Sequence, residues 1–208
     1  MALPIVMQFA RAPVAGQVKT RLQPALSVEK ALQLHEWMIN RVVENCCRPK
    51  LWRYQLWVAG EVQHSLFRQL AHTFSVELRQ QAGDTLGARM AGALYEAQRD
   101  DTVSILIGSD CPLLSSDYLQ QALHAIEQGN EVVIGPAEDG GYVLLACRGY
   151  FPQLFEAVDW GTDQVLPQTR QRLQQSRMSW FELPMLWDID RIEDLRRYQQ
   201  QQSLSFLD

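Results

Sequence analysis

Cysteine is scarce in this 208-residue chain, and what there is forms no motif. Cys46, Cys47, Cys111 and Cys147 include no CxxC pair, so the spacing supports neither a structural zinc site nor a disulfide framework. Free thiols in a cytoplasmic protein are the expectation. Basic surplus is also missing. Lysine and arginine number 19 against 24 acidic residues, and the net charge of −5 argues against broad nucleic-acid binding. No apolar run approaches the roughly 18–20 residues that cross a bilayer. The opening ten residues have neither the basic start nor the small-residue cleavage site of a signal peptide, and read instead as a first strand. Internal repeats, long linkers and a Ser-His-Asp or Cys-His arrangement are absent too.

What is present is an alternation of short apolar runs with segments of helical period, which predicts an α/β domain with a largely parallel sheet over residues 1–208. Strands are expected at Leu3–Ala10, Tyr54–Ala59, Val103–Ile107, Glu131–Gly135, Tyr142–Cys147 and Met178–Leu183, with a weaker one near Phe74–Leu78. Helices are expected from Ser27 to about Cys46, around Val62–Leu70, and from Thr85 to Gln98 behind an Asp84 cap. Three more are expected from Ser115 or Ser116 towards Gly129, from about Asp163 to Gln174, and at the end of the chain.

Six segments carry candidate chemistry. The loop after the first strand, Arg11 to Leu22, sets Gly16 among Arg11, Lys19 and Arg21. It is neither a Walker loop nor a three-glycine dinucleotide fingerprint, yet it falls where open α/β sheets bind ligands and carries cations suited to phosphate. A solvated basic turn is the competing reading. Gly108-Ser109-Asp110 ends the most apolar strand, so Asp110 has a rigid mount suited to a metal ligand; stabilising the turn before Pro112 would also explain it. In Trp187-Asp188-Ile189-Asp190 an extended chain points both carboxylates to one side, although Asp190 with Glu193 also has the form of a capping box. Glu138-Asp139-Gly140-Gly141 forms a tight turn that allows close approach to a substrate, and Asp139 or Glu138 could act as a general base there. Gly161-Thr162 offers a helix start for an anionic acceptor or a plain cap. In Gly83-Asp84-Thr85-Leu86-Gly87-Ala88-Arg89, Arg89 sits in a helix's first turn, where a cation makes sense if it faces an anion.

Taken in order, Phe9-x-Arg11-x-Pro13-x-x-Gly16-x-x-Lys19-Thr20-Arg21-Leu22, Gly83-Asp84-x-Leu86-Gly87-x-Arg89-Met90, Gly108-Ser109-Asp110-Cys111-Pro112, Gly135-Pro136-x-Glu138-Asp139-Gly140-Gly141-Tyr142, Trp160-Gly161-Thr162-Asp163 and Asp188-x-Asp190 resemble one family, the radical-SAM/selenodomain-associated transferases. These are glycosyltransferase-like members of the nucleotide-diphospho-sugar transferase (GT-A) superfamily. More distantly, the first loop and Asp110 are similar to those of 2-phospholactate and molybdenum-cofactor guanylyltransferases.

The resemblance implies a Rossmann-like GT-A sandwich, with a mixed, mostly parallel sheet and helices on both faces. It implies a nucleotide over the first loop, contacting Arg11, Pro13, Gly16, Lys19, Arg21, Gly83 and Arg89. It also implies Mg2+ or Mn2+ at Asp110, Asp188 and Asp190, catalytic roles for Lys19, Asp110 and Asp139, and substrate contacts from Glu138, Gly140, Gly141, Gly161 and Thr162. Two departures stand out: Arg191-Ile192 replaces the usual Thr-Pro after the last aspartate, and no mid-chain Asp-x-Asp is present. Glycosyl transfer from a nucleotide sugar to a small acceptor is the expected reaction. Nucleotidyl transfer, which the cationic loop suits better, is the alternative, and a non-catalytic nucleotide-binding module is a third.

Overall fold

A computed structural model describes residues 3–97 and 102–207. The chain threads β1 (Ile5–Arg11), α1 (Val28–Cys46), β2 (Arg53–Ala59), α2 (Ser65–Phe74), β3 (Glu77–Gln80) and α3 (Leu86–Ala97). It continues through β4 (Ser104–Ile107), α4 (Ser116–Glu127), β5 (Val132–Pro136), β6 (Tyr142–Cys147), α5 (Val165–Gln175), β7 (Trp180–Glu182) and α6 (Ile192–Gln199). The strands form a seven-stranded sheet in the order β3-β2-β1-β4-β6-β5-β7. All pairings are parallel except those of β6, which runs against both β4 and β5.

Alternation along β1 explains why both faces are covered. Val6 and Ala10 enter a cluster with α1, α2 and α4, whereas Ile5 and Met7 enter another with α3 and α5. A third apolar cluster sits apart from the sheet and joins Leu22, Leu34 and Met38 of α1, Trp187, Ile189, and Leu195 and Tyr198 of α6. Among the described residues no helix is long and apolar enough to cross a membrane.

Several boundaries differ from the sequence expectation for identifiable reasons. Helix α2 begins at Ser65 because the His64 ring accepts the Leu66 N–H, and it runs on to Phe74. Ser75 then takes a left-handed conformation, so β3 starts at Glu77 rather than near Phe74. The α3 cap is Thr85, whose hydroxyl oxygen accepts the Ala88 N–H at 3.1 Å, not Asp84; Gln98 lies outside the described residues. Pro167 is accommodated in the first turn of α5, where a missing N–H costs nothing.

The order reverses at β1 and β4, which lie side by side while their successors lead in opposite directions. Ligands of open α/β sheets bind at such a switch point, outside the carboxyl ends of the strands. A buried polar chain ties the two strands together there. The Ser109 hydroxyl donates to the Phe9 carbonyl at 2.7 Å and accepts from Gln8 Nε2 at 2.9 Å, while the Tyr54 hydroxyl donates to Gln8 Oε1 at 2.7 Å. Ser109→Ala removes a partner from two buried groups, and should lower unfolding free energy by about 1–2 kcal/mol in urea titrations. An unchanged urea midpoint would show that this network holds nothing.

Candidate functional site

The loop leaving β1 is built to present one lysine. Leu22 is fully buried in the third apolar cluster and anchors a single 3-10 turn, Thr20–Leu22. Gly16, at φ +77°, allows the chain to fold back before it. Lys19 itself sits at φ +47°, a left-handed conformation that a side chain bearing a Cβ adopts at a cost of about 1 kcal/mol. Its side chain is only 5% exposed, and the ammonium contacts Asp110 Oδ1 at 2.9 Å, Asp190 Oδ1 at 3.3 Å and the Ile189 carbonyl at 2.6 Å. Burial works against this charge, but Asp110 and Asp190 outweigh it and hold Lys19 above the ordinary lysine range. It is therefore a cation at neutral pH.

The carboxylates arrive from separate parts of the chain. Asp110 follows β4, and its carbonyl accepts the Ile189 N–H at 2.9 Å, which stitches the 187–190 segment alongside. Confinement disfavours the Asp110 anion, yet the adjacent ammonium keeps its carboxyl below the usual range. Asp190 receives Lys19 and also Arg21, at 2.8 Å. It does not cap α6 with Glu193. Asp194 instead accepts the N–H groups of Asp190 and Arg191, at 3.1 and 2.7 Å. Among the described residues Asp188 forms no ion pair, although the Lys19 charge favours its anion from a greater distance. Desolvation, then the Asp110 and Asp139 charges, push its carboxyl up to about 8.

These groups border one cavity of about 590 Å³. Of the residues singled out in the sequence, Arg11, Lys19, Arg21, Asp110, Asp139, Gly141, Gly161, Thr162, Asp188 and Asp190 line it. Pro13, Gly16, Gly83, Arg89, Glu138 and Gly140 do not. Arg89 turns to the Thr85 carbonyl of its own helix. Glu138 makes a two-pronged pair with Arg197, at 2.8 and 3.1 Å, and the Arg197 guanidinium lies 4.3 Å from the Trp187 ring centre. Gly140 supports the hairpin from behind: a Cβ there would lie 2.6 Å from the Asp163 backbone. The Thr162 hydroxyl is committed to its turn, donating to the Asp159 carbonyl and accepting the Gln164 N–H. Among the described residues no set of three or more Cys, His, Asp or Glu side chains is disposed to hold a metal, and Asp190 is engaged by Lys19 and Arg21.

Sequence reasoning missed several lining residues. His35, assigned no role, reaches the cavity from α1 and places Nε2 3.0 Å from the Arg11 carbonyl. That acceptor requires the proton on Nε2, and burial keeps the ring neutral. Phe9, Leu86, Met90, Tyr142 and Trp160 also face the cavity. They stand inside the motifs that carry the family resemblance, yet received no role of their own, because apolar and aromatic side chains read as core in a sequence.

The whole architecture is shared with solved structures. One, a candidate nucleotide-diphospho-sugar transferase from Desulfovibrio desulfuricans G20, is 27% identical and superposes with a TM-score of 0.86, over 99% of this chain and 90% of that one. A cytidylyltransferase from Leptospira borgpetersenii serovar Hardjo-bovis shares 14% identity at a TM-score of 0.61, over 96% and 86% of the two chains. CMP:2-keto-3-deoxy-manno-octonic acid synthetase, solved with CTP, shares 9% identity at 0.61, over 96% and 98%. The likeness to these last two is one of fold. The fold is the Rossmann-like α/β sandwich of nucleotide-diphospho-sugar transferase structures, with the mixed sheet and helices on both faces that the sequence led us to expect. Among curated proteins, none matches the sequence. Residues 42–162, more than half of the chain, match the family described as "Uncharacterized protein conserved in bacteria (DUF2064)", and the chain belongs to that family.

Proposed function

We propose that the chain is one transferase domain that transfers a nucleotidyl group from a nucleoside triphosphate to a small acceptor, releasing pyrophosphate. The observation that carries this reading is the buried Lys19 ammonium, held 2.9 Å from Asp110 at the switch point of the sheet. Arg11, Lys19 and Arg21 stand on one short loop, and among the described residues no other lysine or arginine lines the cavity. Three such cations suit a triphosphate and its pyrophosphate leaving group.

The donor set also fits a divalent ion. Asp110 and Asp188 border the same space, and desolvation together with the Asp110 and Asp139 charges raises the Asp188 carboxyl, so a divalent ion there would favour its ionised form and relieve that crowding. Mg2+ or Mn2+ held by Asp110 and Asp188 would neutralise phosphate oxygens and align them for in-line displacement. Asp190 is the weaker ligand because it already holds Lys19 and Arg21.

The chain's own residues do the rest. Lys19 has three N–H donors, and all three are engaged by Asp110, Asp190 and the Ile189 carbonyl. Were a divalent ion bound, Asp110 would be among its ligands, and the Lys19 donor that now meets Asp110 would become available to a phosphate oxygen. The acceptor oxygen attacks the α-phosphorus, the bond from that phosphorus to the bridging oxygen breaks, and Asp139 takes the acceptor's proton. Asp139 Oδ1 accepts the Gly141 N–H at 2.9 Å, which orients the carboxylate for that role. Catalysis rests on position and charge, with no protein nucleophile.

Glycosyl transfer from a nucleotide sugar is the second reading, supported by the description of the Desulfovibrio protein and by the motif likeness to radical-SAM/selenodomain-associated transferases. The two part on the leaving group. With magnesium, nucleoside triphosphates and a cell extract as acceptor source, pyrophosphate should appear. Release of nucleoside diphosphate from nucleotide sugars instead would establish glycosyl transfer, and nucleotide binding with neither release would leave a binding module.

A further inference from the structure

The cavity has two chemically different ends. Its cationic end is the 11–21 loop, fastened to α1 and the 187–190 segment through the third apolar cluster. Its other end is walled by Phe9, Leu86, Met90, Tyr142, Trp160 and Val165. Most of these belong to or pack against the cluster formed with α3 and α5. Among the described residues the lysines and arginines that line the cavity are Arg11, Lys19 and Arg21, all from the 11–21 loop.

Its aromatic wall is rigid. The Trp160 indole lies so close over Gly87 that a Cβ on Gly87 would come within 2.6 Å of the indole nitrogen. Phe155 stacks on it at 6.3 Å between ring centres, and Tyr142 meets it edge-on at 6.4 Å. Tyr142 lines the cavity, its hydroxyl has no hydrogen-bond partner among the described residues, and burial holds the phenol in its protonated, donating form. Asp139 stands on the hairpin that leads directly into Tyr142, accepts the Gly141 N–H at Oδ1 and lines the same cavity.

We infer that this aromatic end seats the acceptor, and that the acceptor is an uncharged, hydroxyl-bearing ring compound lying against Trp160 and Tyr142. The inference rests on the nucleotidyl-transfer reading, which assigns the cationic end to phosphates. A phosphate monoester placed here would have to compete with the nucleotide for the three cations of the 11–21 loop, and would face Asp139 as a like charge. A neutral ring loses little on desolvation, gains stacking from the indole, and offers a polar atom to the waiting phenol.

Saturation-transfer NMR with two matched probes, 4-nitrophenyl β-glucoside and 4-nitrophenyl phosphate, tests this in the presence of magnesium and saturating nucleotide. Wild-type protein, Tyr142→Phe and Trp160→Leu are compared, and nucleotide affinity is measured by calorimetry on the same samples. The glucoside should bind; Trp160→Leu should weaken it about fivefold and Tyr142→Phe about threefold, with nucleotide affinity held within twofold. The phosphate ester should not bind once nucleotide occupies the loop. Equal binding of both probes, no glucoside binding, or competitive displacement of the glucoside by nucleotide would each overturn the inference, the last by giving this end to the nucleobase. If Trp160→Leu fails to fold, Tyr142→Phe decides alone. Absence of nucleotide binding, read separately by calorimetry, would instead sink the nucleotidyl-transfer reading.

Discussion

Replacing Lys19 with alanine is expected to lower pyrophosphate release at least about 100-fold, because one preorganised charge aimed at a leaving group contributes on that scale. Glycine at the same position should be equally inactive yet more stable than alanine by about 1 kcal/mol. The difference arises because φ is +47°, a conformation that costs alanine and not glycine. Both variants leave Asp110 and Asp190 without the ammonium that now lies 2.9 and 3.3 Å away. Since both carboxylates are substantially exposed, the loss of folding stability from this cause should be only about 1–2 kcal/mol. Steady-state assays and thermal melts on the pair separate charge from backbone. Full activity in Lys19→Gly would mean that the ammonium serves the fold and not the reaction.

Asp188→Asn is expected to move activity and stability in opposite directions. Activity should fall about 100-fold or more, since an amide binds a divalent ion weakly and cannot take on the negative charge that a bound cation would draw out of the Asp188 carboxyl. Stability in chelator should rise, and the sign follows from proton linkage. The Asp188 carboxyl titrates at about 8 in the fold against about 4 when unfolded, so the folded state holds the extra proton between these values. Stability from this group is therefore complete near pH 4 and is lost as pH rises towards 8. Wild-type protein in chelator should lose on the order of 1–2 kcal/mol across pH 5–8 relative to Asp188→Asn, and magnesium should narrow the gap. Denaturant titrations at three pH values measure it. Parallel pH profiles for the two proteins would show that Asp188 does not sit among competing carboxylates as described.

The sheet was largely legible in the sequence because its strands are short apolar runs bounded by turn residues, and β1, β2, β4 and β6 fall within a residue or two of expectation. Boundaries slipped where one side chain made the decision: His64 delayed α2, Thr85 took the cap from Asp84, and Asp194 took the reach-back assigned to Glu193. The convergence of Lys19, Asp110, Asp188 and Asp190 was legible as a set because each stands beside a turn or strand end. Their pairing was not. An ammonium placed between two of the carboxylates depends on Leu22 and Ile189 sharing one apolar cluster across more than 160 positions of chain, and periodicity carries no such information. Arg89 and Glu138 show the converse, charged residues in suggestive motifs that the fold spends on a helix carbonyl and on Arg197.

The reversed direction of β6 has a consequence for how such a protein can diversify. Because β5 and β6 form a hairpin, its tip, Asp139–Gly141, hangs over the same rim as the ends of β1 and β4, yet no strand-to-helix crossover passes through it. Side chains around this turn could change without shifting the register of β1, β2 and β4 or the loop that carries Lys19. Relatives that keep Asp139 and the paired glycines could thus reach different recipients on one scaffold by altering the residues that surround the turn.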